Sequence, residues 1–286
     1  MADNHIVIMA GGIGSRLYPV STPERPKQFL DLLDCGKTLI QLTYDRFLRT
    51  DPDAQFWVVT SANYTHFIRE QLPGIPEDHI LAEPEARNTA PCIAYACWKI
   101  RHKDPQANIV VTPSDAYVPD YDAFAATMRT ALDFTATRSA IVCVGINPTY
   151  PHTGYGYIHA PGATDGIVKV ASFKEKPSLE VAQAYLDEGG YFWNAGIFVW
   201  NVATIEAELR RYAPQICGVM DALAPALFTP AEPAELARLF PTCEKISIDY
   251  AVMEKSDDVH MIPGHWMWSD LGSFEAIEKI TGKKLK

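Results

Sequence analysis

Positive charge is scarce in this 286-residue chain: 25 Lys and Arg stand against 35 Asp and Glu, a formal net charge of -10. That balance excludes the basic stripes on which nonspecific nucleic-acid binding depends, so no nucleic-acid partner is expected. No apolar run is long enough to span a bilayer, so no membrane is expected. The N-terminal Met-Ala-Asp-Asn-His leads straight into a strand-like run, without the regions of a signal peptide, and a cytoplasmic location follows as the expectation. The six cysteines include no C-x-x-C pair and no His-rich spacing accompanies them, which leaves buried free thiols as the reading. Internal repeats, low-complexity segments and a clear linker are also missing. One domain over residues 1–286 is expected, with a first half to about residue 150 and an elaborated second half from about 151. In so acidic a chain, any site for a polyanion must gather its few cations locally.

What is present is an alternation of strand-like and helix-like segments. Ile6–Ala10, Phe56–Thr60, Ile109–Thr112 and Ile141–Ile146 read as short buried strands. Thr38–Leu48, Tyr64–Leu72, a helix capped by Thr89, and Asp122–Phe134 carry apolar residues at helical spacing. This order predicts an α/β fold with a mostly parallel sheet and helices on both faces. In the second half, Gly154–His159, Ile167–Phe173 and Phe192–Trp200 read as strands. Ser178–Glu188, Asn201–Tyr212 and the stretch from Met220 to Phe240 read as helical.

The basic and acidic residues collect in short motifs. Gly11-Gly12-Ile13-Gly14-Ser15-Arg16 follows the first strand, where glycines let backbone amides approach a phosphate. It is not the dinucleotide fingerprint, because Leu17 stands where the third glycine would be. A plain glycine turn is the other reading. Pro26-Lys27-Gln28 follows Arg25, placing three cations, with Arg16, within a dozen residues. Cys35-Gly36-Lys37-Thr38 imitates the end of a P-loop, but Asp31 stands at the first glycine position, so Gly36 reads as a turn and Thr38 as a helix cap. Glu83-Pro84-Glu85-Ala86-Arg87-Asn88-Thr89 joins a strand to a helix start, where amides, Asn and Thr can read a base edge, or merely cap the helix. Pro113-Ser114-Asp115 and Trp268-Ser269-Asp270 place carboxylates at expected strand ends, where a pair can share one Mg²⁺ or each can serve a turn. Gly156, Glu175, Lys176 and Asn194 lie in motifs suited to sugar hydroxyls and a phosphate, or to a solvated surface.

In order, G-G-I-G-S-R-L, P-K-Q-F-L, E-P-x-x-R-N-T-A-P, P-S-D, T-G-Y-G-Y-I, F-K-E-K-P, F-W-N-A-G-I-F, I-D-Y-A-V-M-E-K and W-S-D-L-G-S resemble the mannose-1-phosphate guanylyltransferases, or GDP-mannose pyrophosphorylases. The resemblance runs from about residue 6 to 275. It implies a Rossmann-like nucleotidyltransferase domain, with a nucleotide-binding first half and a sugar-binding second half. It implies that Gly11, Gly12, Gly14, Ser15 and Ser114 wrap the nucleotide and that Arg16 and Lys27 hold its phosphates and carry catalysis. Glu83, Arg87, Asn88 and Thr89 would face guanine and ribose. Asp115 and Asp270 would hold Mg²⁺, and Gly156, Glu175, Lys176 and Asn194 would bind mannose and its phosphate.

The implied partners are GTP, mannose 1-phosphate, GDP-mannose and pyrophosphate. GTP and sugar phosphate bring together roughly six negative charges, against Arg16, Arg25, Lys27, Lys176 and one Mg²⁺. Family members usually continue past W-S-D, often into a left-handed β-helix. This sequence runs only about a dozen residues further, so a domain without that β-helix is expected, and a homodimer stays open. The rival readings are a transferase for another sugar or base, such as heptose 1-phosphate or dTTP, and a catalytically silent GDP-mannose-binding regulator.

Overall fold

The computed structural model describes residues 3–284. The first half alternates strands and helices: β1 (Asn4–Met9), α1 (Leu39–Thr50), β2 (Gln55–Ser61), α2 (Thr65–Gln71), β3 (Ile80–Glu83), α3 (Thr89–Lys103), β4 (Asn108–Pro113), α4 (Tyr121–Thr135) and β5 (Ile141–Ile146). The second half continues with β6 (Tyr157–His159), β7 (Val168–Lys169), β8 (Ser172–Lys174), α5 (Leu179–Glu188), β9 (Tyr191–Asn201), α6 (Val202–Tyr212), α7 (Pro214–Leu223), α8 (Glu232–Leu239), β10 (Val259–Gly264) and α9 (Phe274–Thr281). No helix among the described residues is long and apolar enough to cross a membrane.

All strands join one sheet, whose main path runs β3-β2-β1-β4-β9-β5-β10-β7, with β6 on β9 and β8 on β6. Pairing is parallel across β3-β2-β1-β4 and between β5 and β10, whereas β9 runs antiparallel to both β4 and β5. The sheet is therefore mostly parallel, with β9 and β7 the reversed strands of that path. The strands of the first half are apolar almost throughout, as burial on both faces demands. Alternate residues feed two cores. Val7, Trp57, Val59 and Val111 pack toward α3, α6 and α7, while Ile6, Ile8, Val58 and Val110 pack toward α1, α2 and α4.

Several expected boundaries shift. The cap of α3 is Asn88, whose side chain accepts from the Thr89 amide at 2.8 Å, so Thr89 is the first helical residue and not the cap. Its hydroxyl is occupied elsewhere, accepting from the Ile248 amide at 2.9 Å. The expected strand Ile167–Phe173 is two short strands, and Pro225 and Pro230 divide the Met220–Phe240 stretch into separate helical pieces. β10 is not apparent in the sequence because Pro263 interrupts its pattern. The strand tolerates proline there because its β7 edge is paired only at His260 and Met261. Thr38 caps α1 in a reciprocal box with Gln41, as its position suggests. Five cysteines are buried, but Cys35 is exposed, since it sits in the turn before α1 and not in a core element.

Candidate active site

The carboxyl ends of β1, β3 and β4 open into a cleft of about 560 Å³. It lies where the parallel connections leave β1 in opposite directions, the usual ligand crevice of such sheets. The glycine loop after β1 forms one wall, and its carbonyls are turned inward. Gln28 donates its amide to the carbonyls of Ala10 at 3.1 Å and Gly12 at 2.8 Å, and Ser21 donates to that of Ile13 at 2.7 Å. The amides of Gly11 to Arg16 find no acceptor among the described residues. A loop with satisfied carbonyls and free amides is a ready anion site. Gly14 takes φ +66°, and a Cβ there would fall 2.8 Å from the Ser21 hydroxyl and 3.0 Å from the Lys27 stem. Only glycine meets both constraints.

Lys27 is almost fully buried. Its ammonium lies 3.1 Å from an Asp115 carboxylate oxygen and donates to the Asp270 carbonyl at 2.7 Å. Asp115 and Asp270, far apart in sequence, thus reach the same wall. Asp115 follows β4 closely. Asp270 does not end a strand of the sheet; it follows an isolated bridge between Tyr117 and Ser269. That bridge ties the two aspartate-bearing segments together. Tyr155 donates to the Asp270 carboxylate at 2.7 Å, as does the Gly272 amide at 3.0 Å, and the exposed Arg16 guanidinium lies 3.8 Å away.

At the β3 end, Glu83 is buried. One of its carboxyl oxygens has no partner, and the other lies 3.4 Å from where a Gly11 side chain would start. Burial alone pushes this carboxyl up to about 8. Near it on the same wall, Asn88 holds φ +69° with ψ -173°, a region almost reserved for glycine, and so stores strain there.

The far end belongs to the second half. Asn194 donates to the half-buried Asp249 at 3.0 Å, and its side-chain oxygen accepts from the Gly196 amide at 3.0 Å. Glu175 packs so closely that a Cβ on Gly156 would lie 2.6 Å from its carboxylate. Burial first, and the Glu175 charge second, push the Asp249 carboxyl up to about 7. Asp249 starts a π-helical turn, Asp249–Met253, of the kind frequent at functional sites.

The cleft gathers Gly11, Gly12, Gly14, Arg16, Lys27, Glu83, Asn88, Thr89, Asp115, Gly156, Glu175, Asn194 and Asp270. Four expected residues do not line it. Ser15 is exposed on the short helical turn after the loop. Arg87 pairs with Glu85 at 3.1 Å. Ser114 is buried behind the wall, its carbonyl accepting from Thr43 at 3.1 Å. Lys176 is exposed, its ammonium 2.5 Å from Glu175. Arg25 is exposed as well and does not line the cleft, so the expected balance of cations narrows to Arg16 and Lys27. Asp249, Tyr155, Trp268 and Gln28 receive no role from the sequence. All four lie inside the quoted motifs, and that is the available signal.

The lining thus holds five carboxyl groups and two cations. Among the described residues, no cluster of three or more His, Cys, Asp or Glu side chains is arranged to hold a metal unaided. Asp115 and Asp270 are hard oxygen donors beside free amides. That fits Mg²⁺, which takes one or two carboxylates and completes its shell with phosphate oxygens and water.

The family model described as "Nucleotidyl transferase" matches residues 5–286. A Xanthomonas campestris relative, xanthan biosynthesis protein XanB, is 39% identical over 98% of this chain and 60% of its own length. The mannose-1-phosphate guanylyltransferase of Escherichia coli K12 is 36% identical over 96% of this chain and 59% of its own. A crystal structure from Thermus thermophilus, described as mannose-1-phosphate geranyltransferase, superposes with a TM-score of 0.87 at 31% identity, covering 98% of this chain and 80% of that one. The chain spans about 60% of the length of the curated relatives it matches.

Proposed function

This chain belongs to the nucleotidyl transferase family, and from that premise we propose that it transfers GMP from GTP to mannose 1-phosphate, giving GDP-mannose and pyrophosphate. The observation that carries the reading is the junction at Lys27. There an amide-rich loop meets Asp115 from one half and Asp270 from the other. Relatives named mannose-1-phosphate guanylyltransferase support the choice of sugar and base.

An oxygen of the sugar phosphate attacks the α-phosphorus of GTP, and pyrophosphate leaves from the opposite side. No protein nucleophile is needed, so the chain works by positioning and charge stabilisation. The Gly11–Arg16 amides bind phosphate oxygens, with Arg16 adding charge at the mouth. Lys27 shares its ammonium between Asp115 and the phosphates, where negative charge moves during transfer. Asp115 and Asp270 would hold Mg²⁺, which when bound neutralises phosphate charge. With more carboxyls than cations in the lining, the substrates need that ion to enter.

Glu83 fits guanine, because an ionised carboxylate accepts from two adjacent donors, the ring N–H and the exocyclic amine. Asn88 and Thr89 flank it at the start of α3 and line the cleft, while the Thr89 and Ala90 amides there are already taken by the Asn88 side chain and the Ile246 carbonyl. Gly156, Glu175, Asn194 and Asp249 form the sugar end, Gly156 leaving room for Glu175 to approach. Lys176, outside the lining and paired with Glu175, would have to leave that carboxylate to meet the sugar phosphate.

The test is pyrophosphate release from GTP, dTTP and UTP paired with mannose, glucose and heptose 1-phosphates. The expected result is turnover with GTP and mannose 1-phosphate that stops on chelation of Mg²⁺. A better rate with dTTP or another sugar phosphate would reassign the substrate. Binding of GDP-mannose with no turnover on any pair would favour a regulator.

A further inference from the structure

Arg46, in the third turn of α1, is 1% exposed and has no carboxylate partner among the described residues. Burial without a counter-charge pulls its guanidinium down to about 10. Burying an unpaired cation is costly, and an apolar side chain of similar volume would pack there without that cost. What the guanidinium does hold is backbone. It donates to the Ala116 carbonyl at 3.2 Å and to the Thr43 hydroxyl at 3.4 Å, and it lies 4.8 Å from the centre of the Phe124 ring. The Thr43 hydroxyl in turn donates to the Ser114 carbonyl at 3.1 Å.

Ser114 and Ala116 are the two neighbours of Asp115. Both of their carbonyls are therefore gripped from behind by one helix, one turn apart on its inner face. From the front, the Tyr117 amide donates to the Ser269 carbonyl at 2.8 Å, and Lys27 meets the Asp115 carboxylate. The Asp115 backbone cannot rotate without breaking a bond on one of these sides.

We propose that Arg46 and Thr43 are positioning residues: they lock the Ser114–Ala116 backbone so that Asp115 presents its carboxylate to the metal and phosphates. The proposal rests on the reading of Asp115 as a metal-holding residue. It adds two buried residues of α1 that touch neither substrate nor ion.

The test compares the full chain with Arg46→Met, Arg46→Lys and Thr43→Val. Hydrogen–deuterium exchange of residues 113–118 reports the backbone. GTP affinity, measured with Mg²⁺ and again with chelator, reports how the metal is held without relying on turnover. In Arg46→Met, exchange of 113–118 should quicken by about tenfold while β1 stays protected. The tightening of GTP by Mg²⁺ should shrink by about threefold or more, and turnover should fall by about tenfold to a hundredfold, as small misplacements of a catalytic group do. The Michaelis constant for mannose 1-phosphate should stay within about twofold, since that end of the cleft keeps its own supports. Arg46→Lys should recover part of each effect, because an ammonium still donates to the Ala116 carbonyl.

Unchanged exchange at 113–118, or quickened exchange with the Mg²⁺ effect intact, overturns the proposal. A lowered melting temperature alone, with neither readout moved, does the same. If Arg46→Met does not fold, Thr43→Val decides the matter: it removes one hydroxyl and should shift both readouts the same way by about threefold. Wild-type GTP binding that ignores Mg²⁺ removes the metal reading first and the proposal with it. That failure is recognisable because it appears before any substitution.

Discussion

Each end of the cleft holds a carboxyl that burial keeps from ionising easily, yet the two ends ask opposite things of it. Glu83 stands alone at the end of β3 and is raised to about 8 by burial only. Asp249 sits across from Glu175 and is raised to about 7 by burial and by that neighbouring charge. Under the proposed function, Glu83 must be ionised to accept the two donors of guanine. Asp249 faces a sugar that carries a phosphate, and there a neutral carboxyl repels less. Desolvation is therefore one device with two uses, sorted by the charge of what arrives. Between the ends lies Lys27, which belongs to neither.

The largest expected effect separates that junction from both ends. Lys27→Ala should lower turnover by roughly a hundredfold or more, as loss of one charge-stabilising donor at a reacting group does. The Michaelis constants of both substrates should move much less, because the amide loop and the sugar end keep their own contacts. Lys27→Arg should not restore the rate. The ammonium is enclosed between Asp115, the 270–271 backbone and Gly14, where a planar fork does not fit. Wild-type turnover in the alanine variant, from steady-state kinetics, would show that the junction carries no chemistry.

A smaller effect tests the nucleotide end. Catalytic efficiency with GTP should exceed that with dTTP or UTP by at least about tenfold, and Glu83→Gln should narrow this preference by a similar factor, since an amide matches only one of the two guanine donors. Because the free carboxyl lies near 8, GTP binding must release its proton. Affinity should then strengthen as pH rises from about 6 toward 8 and level off above. The glutamine variant should keep only the part of this rise that belongs to ionisation of the GTP terminal phosphate, near about pH 6. A wild-type profile that matches the glutamine variant's, measured by calorimetry, would remove Glu83 from base recognition.

The nucleotide end is far more legible in the sequence than the sugar end, and the reason is locality. Gly11, Gly12, Gly14 and Asp115 each follow a strand at once, so pattern alone places them on the rim. Asp249 lies in a quoted motif without a role. Its burial depends on Glu175, which follows β8, on Asn194 within β9, and on a π-helical turn that has no simple period. Charge misleads for a related reason. Arg25 and Lys176 stand as near to the motifs as Lys27 does, but nearness along the chain does not say which side of a turn a long side chain takes. Ser114 shows the converse. It is one residue from Asp115, and the alternation that turns Asp115 outward turns Ser114 into the wall.

The smallest expected effect tests the sugar end, and it needs two titrations kept apart. The phosphate of mannose 1-phosphate itself ionises near about pH 6, so any profile between about 6 and 8 contains the substrate. Asp249→Asn isolates the protein's part. Its amide stays neutral, can still accept from Asn194 through its oxygen, and is close to the carboxyl in shape. In the wild type, raising pH from about 6.5 to 8 ionises Asp249 beside Glu175, and both charges then face the incoming phosphate-bearing sugar. The Michaelis constant for mannose 1-phosphate should rise over this interval by about threefold, a change worth less than about 1 kcal/mol and in keeping with partly solvated charges. In Asp249→Asn that rise should be absent, leaving only the substrate's own ionisation, and the constant for GTP should match the wild type throughout. Stability should follow the same carboxyl. A group whose folded pKa lies above its unfolded value costs stability as pH climbs from about 4 to 7. The melting temperature of Asp249→Asn should therefore gain on the wild type across that window and converge with it in acid. If the two proteins share one pH profile for mannose 1-phosphate, Asp249 does not face the sugar, and the two ends of the cleft differ in composition but not in how they use burial.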